Sequence, residues 1–116
     1  MKNPERRIID FMYEHHVLTL TTCVENKPWC SNCFYTYLKE ENCFVFTSDN
    51  ETRHVQECLV NENVAGSVVL ETNVVGRIQG IQFSGKMVRP GELLHKTARK
   101  AYLKKFPYAA LMKTSL

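Results

Sequence analysis

The sequence contains few residues that break secondary structure and no segment that would anchor it in a membrane. Its 116 residues include five glycines and four prolines, with no linker or low-complexity tract. No stretch approaches the roughly 20 apolar residues that a membrane-spanning helix needs. The charged residues 1–7 are followed by no long apolar run, which predicts no signal peptide. We therefore expect one soluble, cytoplasmic domain over residues 1–116, with no membrane as partner.

Short motifs of several common enzyme classes are also missing. The chain has no Gly-x-Ser-x-Gly nucleophile elbow, no His-Glu-x-x-His, no P-loop and no Rossmann glycine pattern. These absences argue against α/β-hydrolases, zinc peptidases and the usual nucleotide-binding folds. No catalytic acid, base or nucleophile can be named from the residues.

The five cysteines do not form a pattern typical of metal or disulfide chemistry. Cys30 and Cys33 are the best-spaced pair, but side chains three apart on a strand point to opposite faces. No second Cys-x-x-Cys exists and the four histidines are scattered. We predict reduced structural thiols and no metal site.

Alternating and β-branched residues predict five strands, and helical spacing predicts three helices. The predicted strands are 17–24, 29–38, 43–47, 64–71 and 77–88. Helices are predicted from Asn3-Pro4 to near His16, after a capping box at Ser48 and Glu51, and over 92–105, with a short helical turn at 108–112. The two glycines of the last strand, Gly80 and Gly85, are typical of bends or close approach. This order predicts a mainly β (β-rich α+β) fold, a small antiparallel barrel with flanking helices.

Residues 44–55, FVFTSDNETRHV, have the composition of an anion site. Thr47 and Ser48 follow a predicted strand, and Thr52, Arg53 and His54 stand at a helix start. Hydroxyls donate hydrogen bonds, the helix N-terminus favours negative charge, and a guanidinium can bind phosphate through two nitrogens. The alternative is a capped surface helix with one solvated arginine.

Four segments in this order, PWCSNCFYTYL, CFVFTSDNETRHVQ, RIQGIQFSGKMV and ARKAYLKKFPYA, carry a resemblance. From about Val17 to Met112 the chain resembles the pyridoxamine 5′-phosphate oxidase-like, FMN-binding split barrels, and within them a small bacterial branch. The resemblance implies an antiparallel split β-barrel that forms a homodimer, with two FMN sites shared along the seam between subunits.

The same resemblance implies roles for particular residues. The isoalloxazine ring would lie against Asn32, Cys33 and Phe34, and Gln82 would approach it from the partner subunit. The ribityl phosphate would be held by the segment after the third strand, through Thr47, Ser48, Thr52, Arg53 and His54.

Two departures from the family pattern bear on affinity. The phosphate helix often begins Ser-Arg-Lys in the family, whereas here the residues are Thr52-Arg53-His54. Because histidine is mostly neutral at pH 7, Arg53 would carry most of the fixed positive charge. Family members also continue after the Phe-Pro helix with a closing strand, whereas this sequence stops at Leu116. We therefore expect a barrel that lacks the closing strand.

The favoured hypothesis is an FMN-dependent oxidoreductase acting on a small molecule. The first alternative is a non-catalytic flavin or haem carrier, with His15, His16 or His54 as axial ligand. The second is a nucleic-acid-binding barrel built on five cations within residues 96–105, although a solvated helix face explains them more simply. The net charge of +3 does not by itself indicate nucleic acid.

Overall fold

The structure, a computed structural model, describes residues 4–111 as a curled antiparallel sheet carrying three α-helices. The sheet order is β3-β2-β1-β4-β5. The strands are β1 (Val17–Val24), β2 (Lys27–Leu38), β3 (Cys43–Phe46), β4 (Asn63–Val69) and β5 (Gly80–Lys86), and the helices are α1 (Arg6–Glu14), α2 (Arg53–Val60) and α3 (Glu92–Lys105). Two short 3-10 helices cover Val75–Arg77 and Pro107–Leu111. The predicted fold class, a split β-barrel with flanking helices, is confirmed.

Most predicted elements appear close to their expected bounds. β1 and α3 begin and end where their periodicity predicted, whereas β5 is shorter than residues 77–88. The segment before β5 is occupied instead by the 3-10 helix Val75–Arg77. The last short helix is present, but its predicted end at Met112 lies outside the described residues.

A two-residue turn sets the register of the central hairpin. Glu25 and Asn26 both have positive φ, 53° and 62°, which matches the type I′ turn that joins twisted strands tightly. Val24 therefore faces Lys27, and farther along the ladder Cys33 faces Leu18. Because side chains alternate between faces, this register decides which residues of β2 enter the barrel.

The concave face of the sheet holds the main core. Its buried members are Leu18, Leu20, Cys33, Tyr35 and Val68. Partly buried aromatic side chains from β3 and β5 pack against this group. A second cluster joins α1 to the end of β2 through Ile9, Met12 and Tyr37.

The two edge strands of the sheet come together through the loops that follow them. Arg89, just after β5, donates a hydrogen bond of 3.0 Å from Nη2 to Oδ1 of Asn50, in the turn after β3. The backbone of Asn50 also accepts from the Gln56 side chain at 2.5 Å. The turn that precedes α2 is thus held from both sides.

None of the helices in the described part of the chain is long and apolar enough to cross a membrane.

Candidate functional site

The start of α2 has an unusual cap. The N-cap is Thr52, and the predicted capping box at Ser48 and Glu51 does not form. The Thr52 hydroxyl donates backwards to the carbonyl oxygen of Asp49 at 2.8 Å, and no side chain within residues 4–111 caps the helix. The first backbone N–H groups of an α-helix have no partner inside the helix. The first turn of α2 is therefore open to an external hydrogen-bond acceptor.

A group of neutral polar side chains lies behind this helix start. Ser48 Oγ and His54 Nε2 are 2.6 Å apart, and Thr52 Oγ1 lies 3.5 Å from the same nitrogen. Ser48 also hydrogen-bonds the Cys33 thiol of β2. Burial lowers the pKa of His54 and raises the pKa of Cys33, although the Ser48 bond opposes the rise in the thiol. At pH 7 this group carries no charge.

Arg53 stands between Thr52 and His54 in the chain and carries a fixed positive charge. Its guanidinium carbon lies 3.9 Å from the centre of the Trp29 ring, and its Nε donates to Oε2 of Glu57 at 2.9 Å. The other oxygen of Glu57 accepts from the hydroxyl of Thr22 on β1 at 2.7 Å. Arg53 is therefore fixed in place, with half of its side chain exposed.

The three ring contacts predicted on β2 do not all lie on one face of the sheet. Cys33 points into the barrel and is buried, whereas Asn32 and Phe34 point outwards and are exposed. Asn32 accepts a 2.8 Å hydrogen bond from Thr19, and Phe34 packs edge-on against Phe106 at 5.4 Å between centroids.

Gln82 lies on the same outer face as Asn32 but far from it. The ladder runs Asn32, Thr19, Ser67, Gln82 across four strands. Three strand spacings amount to about 14 Å. One chain therefore does not bring Gln82 to the ring contacts predicted on β2.

The structure thus joins Cys33, Ser48, Thr52 and His54 in one group. The Arg53 side chain turns to Trp29 and Glu57, and Thr47 directly follows β3. Sequence reasoning missed Trp29, Glu57 and Ser31. The i, i+4 spacing of Arg53 and Glu57 is a signal that could have revealed their ion pair. Ser31 stands on the inner side of β2 between Trp29 and Cys33, and its buried hydroxyl makes no hydrogen bond with the described residues. No local sequence pattern predicts a buried hydroxyl of this kind.

The cysteines and histidines do not converge on a metal. Cys30 is exposed and Cys33 is buried, which confirms that the pair points to opposite faces of β2. Within the described part of the chain, no group of three or more His, Cys, Asp or Glu side chains could hold a metal ion.

Solved structures of other proteins share this architecture. A heme binding protein from Mycobacterium smegmatis superimposes with a TM-score of 0.77 at 19% identity, over 96% of this chain and 47% of that one. HutZ, the heme storage protein from Vibrio cholerae, gives 0.66 at 17%, over 98% and 86%. A FAD-binding protein from Mesorhizobium loti gives 0.71 at 14%, over 97% and 81%. At such identities the likeness shows the fold alone, an antiparallel split β-barrel with flanking helices.

Sequence relatives are closer. Comparison with models of protein families finds no match. A UPF0306 protein of Photorhabdus laumondii is 36% identical over 106 residues, which are 91% of this chain and 74% of that protein. The UPF0306 protein YhbP of Salmonella arizonae is 36% identical over 88% and 69% of the two chains, and one from Yersinia pestis is 30% identical over 100% and 80%. The chain belongs to the UPF0306 family.

Proposed function

We propose that this protein binds FMN, with the phosphate at the start of α2, and acts as a flavin-dependent oxidoreductase on a small molecule. The observation that carries the proposal is the open first turn of α2. Its N–H groups lack a side-chain cap within residues 4–111, and the hydroxyls of Ser48 and Thr52 lie beside it. This is the arrangement that binds phosphate groups at helix N-termini.

The residues present fit a phosphate monoester. The uncapped helix N–H groups would donate to phosphate oxygens, and Arg53, the first residue of α2, adds a fixed positive charge. The Arg53 bond to Glu57 uses Nε, so the two terminal nitrogens of the guanidinium are not needed for it. The buried hydroxyl of Ser31, which has no hydrogen-bond partner within residues 4–111, is a further donor on the same face of β2 as Cys33.

A second copy of the chain would complete the site. Asn32 and Gln82 stand on one sheet face but three strands apart, so Gln82 would reach the ring only from a partner subunit. The same face exposes three apolar side chains at one end, Val17 at 43%, Phe34 at 58% and Val69 at 54%. A homodimer formed through this face would cover them and place two cofactor sites along the seam.

The cofactor and the protein residues would have different roles. FMN supplies hydride or electron transfer when bound. The chain would hold the phosphate at α2, orient the ring against β2, and leave one ring face for the substrate. His54 and Cys33 are buried and neutral, and each is engaged with Ser48. We assign neither of them a proton-transfer role.

A haem carrier is the second candidate, because one structural neighbour is a heme binding protein and another is a heme storage protein. The histidines discriminate between the candidates. His54 is buried against Ser48, and the His15 ring packs 4.1 Å from that of Phe11. His16 is the exposed one of the three, at an edge contact with Phe106. A haem site would therefore depend on His16.

The test is titration of the purified protein with FMN, riboflavin and haem, followed by flavin fluorescence and absorption spectra. The proposal predicts that one FMN binds per protomer. FMN should bind more tightly than riboflavin, because riboflavin lacks the phosphate. Reduction of the bound flavin by a nicotinamide donor, with reoxidation by an acceptor, would distinguish a catalyst from a carrier. Binding of haem but not FMN, lost in His16→Ala, would replace the first candidate by the second.

A further inference from the structure

We propose that Glu57 is a positioning residue for the phosphate site, holding the Arg53 guanidinium over Trp29 so that its terminal nitrogens can meet a phosphate monoester. This inference rests on the proposed FMN site and adds a residue to it. Glu57 itself would not touch the ligand.

Two contacts constrain Arg53 in the ligand-free protein. The ring of Trp29 lies beneath the guanidinium, 3.9 Å from its carbon, and Glu57 accepts from Nε at 2.9 Å. The first contact holds the guanidinium over the indole ring, and the second directs its Nε side towards Glu57. An exposed arginine otherwise samples many rotamers. The constraint reduces the conformational entropy that Arg53 would lose on binding phosphate.

Glu57 is in turn anchored to the sheet. Its second oxygen accepts from Thr22, a β1 residue with 1% of its surface exposed. The side chain of Glu57 is only 14% exposed, against 51% for Arg53. Hydrogen bonds from Arg53 and from Thr22 lower the pKa of Glu57, so that it stays charged at neutral pH. The buried Thr22 side chain, the Glu57 carboxylate and the Arg53 guanidinium thus form a connected series of hydrogen bonds.

Glu57 also has an opposing electrostatic effect. Its charge reduces the positive potential that an anion meets at Arg53. If this effect dominated, Glu57 would compete with the ligand, and removing its charge would tighten binding. Because the ion pair uses Nε and leaves the terminal nitrogens for the ligand, we infer that positioning dominates. The two roles predict opposite signs, so affinity can separate them.

The experiment compares Glu57→Gln with the wild type for FMN and for riboflavin. Glutamine preserves the size of the side chain and an oxygen that can accept from Thr22. We expect FMN to bind about 2- to 10-fold more weakly, from the entropy of one freed side chain, and riboflavin to bind unchanged. The matched control is Glu62→Gln, which removes an exposed carboxylate paired with Lys86 at 3.5 Å, away from the site. Its affinities should equal those of the wild type.

Trp29 offers a second measurement, because it is the single tryptophan of the chain. The emission of ligand-free Glu57→Gln should shift towards that of Arg53→Ala, since both variants release the guanidinium from the ring. A purely structural role for Glu57 would lower the melting temperature without this shift. Should Glu57→Gln fail to fold, Thr22→Val keeps both charges and removes only the bond that anchors the carboxylate. It should weaken FMN binding in the same direction.

The outcomes separate the two proposals. If Arg53→Ala loses FMN affinity while Glu57→Gln binds FMN equally or more tightly, the positioning role is overturned and the phosphate site stands. An equal loss for FMN and riboflavin in Glu57→Gln also overturns it. If the wild type does not bind FMN, both proposals are overturned together.

Discussion

The hydroxyl of Tyr35 donates a hydrogen bond of 2.7 Å to the main-chain carbonyl oxygen of Met12, linking the second half of β2 to the last turn of α1. The final carbonyls of a helix have no partner inside the helix, and this one is buried. Burial also raises the pKa of Tyr35, so the hydroxyl remains a donor throughout the physiological range. One side chain of the core thereby caps a helix and fixes its position on the sheet.

Tyr35→Phe should therefore destabilise the protein. The substitution keeps the ring, which packs edge-on against Phe44, but leaves the Met12 carbonyl without its donor. We expect a loss of about 1–3 kcal/mol in the free energy of unfolding, measured by urea denaturation. Tyr108→Phe removes an equal hydroxyl from a side chain that is 82% exposed, and it should change little. Equal stability of the two variants would show that the Met12 bond contributes nothing.

Gly66→Ala should be the more damaging of two matched glycine substitutions. A Cβ at Gly66 would lie 2.3 Å from the backbone oxygen of Thr19 and 2.5 Å from the ring of Phe83. Because a backbone atom cannot move aside cheaply, we expect a cost at or above the upper end of the ~1–3 kcal/mol range for overpacking. The measurement is again urea unfolding.

Gly85→Ala is the control for that substitution. A Cβ at Gly85 meets nothing within 4 Å, and no glycine in the described part of the chain has positive φ. The reduced entropy of the unfolded chain should make this variant neutral or more stable by about 0.4–1 kcal/mol. A similar loss in both variants would contradict the close packing at Gly66.

Stability should fall on acidification because of His54. Its pKa is lowered in the folded protein by burial, so below about pH 6.5 the unfolded chain binds a proton that the folded chain resists. This contribution is complete above the unfolded pKa and is lost as pH falls towards the folded one. The free energy of unfolding should drop between pH 7.5 and pH 5, and His54→Gln should drop less. Parallel profiles for the two proteins would exclude His54 as the cause.

Arg53→Ala should weaken FMN binding by about 1.5–3 kcal/mol if the guanidinium makes a charge-assisted hydrogen bond to the phosphate. Riboflavin affinity should change far less. The control is Arg99→Ala, an exposed residue of α3 that lowers the net charge equally. Fluorescence titration measures all three proteins, and an unchanged FMN affinity in Arg53→Ala would remove Arg53 from the site.

Val69→Glu should dissociate the proposed homodimer. Val69 is 54% exposed on the outer face of β4, and the dimer would bury it, so a carboxylate there would lose its hydration. Light scattering after size-exclusion chromatography should give twice the 13.5 kDa protomer mass for the wild type and a single protomer mass for the variant. FMN affinity should fall with it. Val60→Glu, at a 74% exposed position on α2, should remain dimeric.

The order and type of the secondary structure could be predicted from the residues alone. Alternation along Val17–Val24 and the helical spacing of Glu92–Lys105 are local patterns, and backbone sterics translate them directly into a strand and a helix. That Cys30 and Cys33 point to opposite faces of β2 also followed from the sequence, because side chains alternate between the two faces of a strand. The anion-site composition of residues 44–55 was also evident, because its residues are adjacent in the chain.

The tertiary structure alone decided which of these side chains meet. The capping box was plausible from spacing, but the turn held by Arg89 and Gln56 places Thr52 at the helix start instead. The contact of Trp29 with Arg53 joins a strand to a helix 24 positions later, and no local pattern encodes it. Such contacts depend on strand register and on how the sheet curls, and both arise from packing across the whole domain.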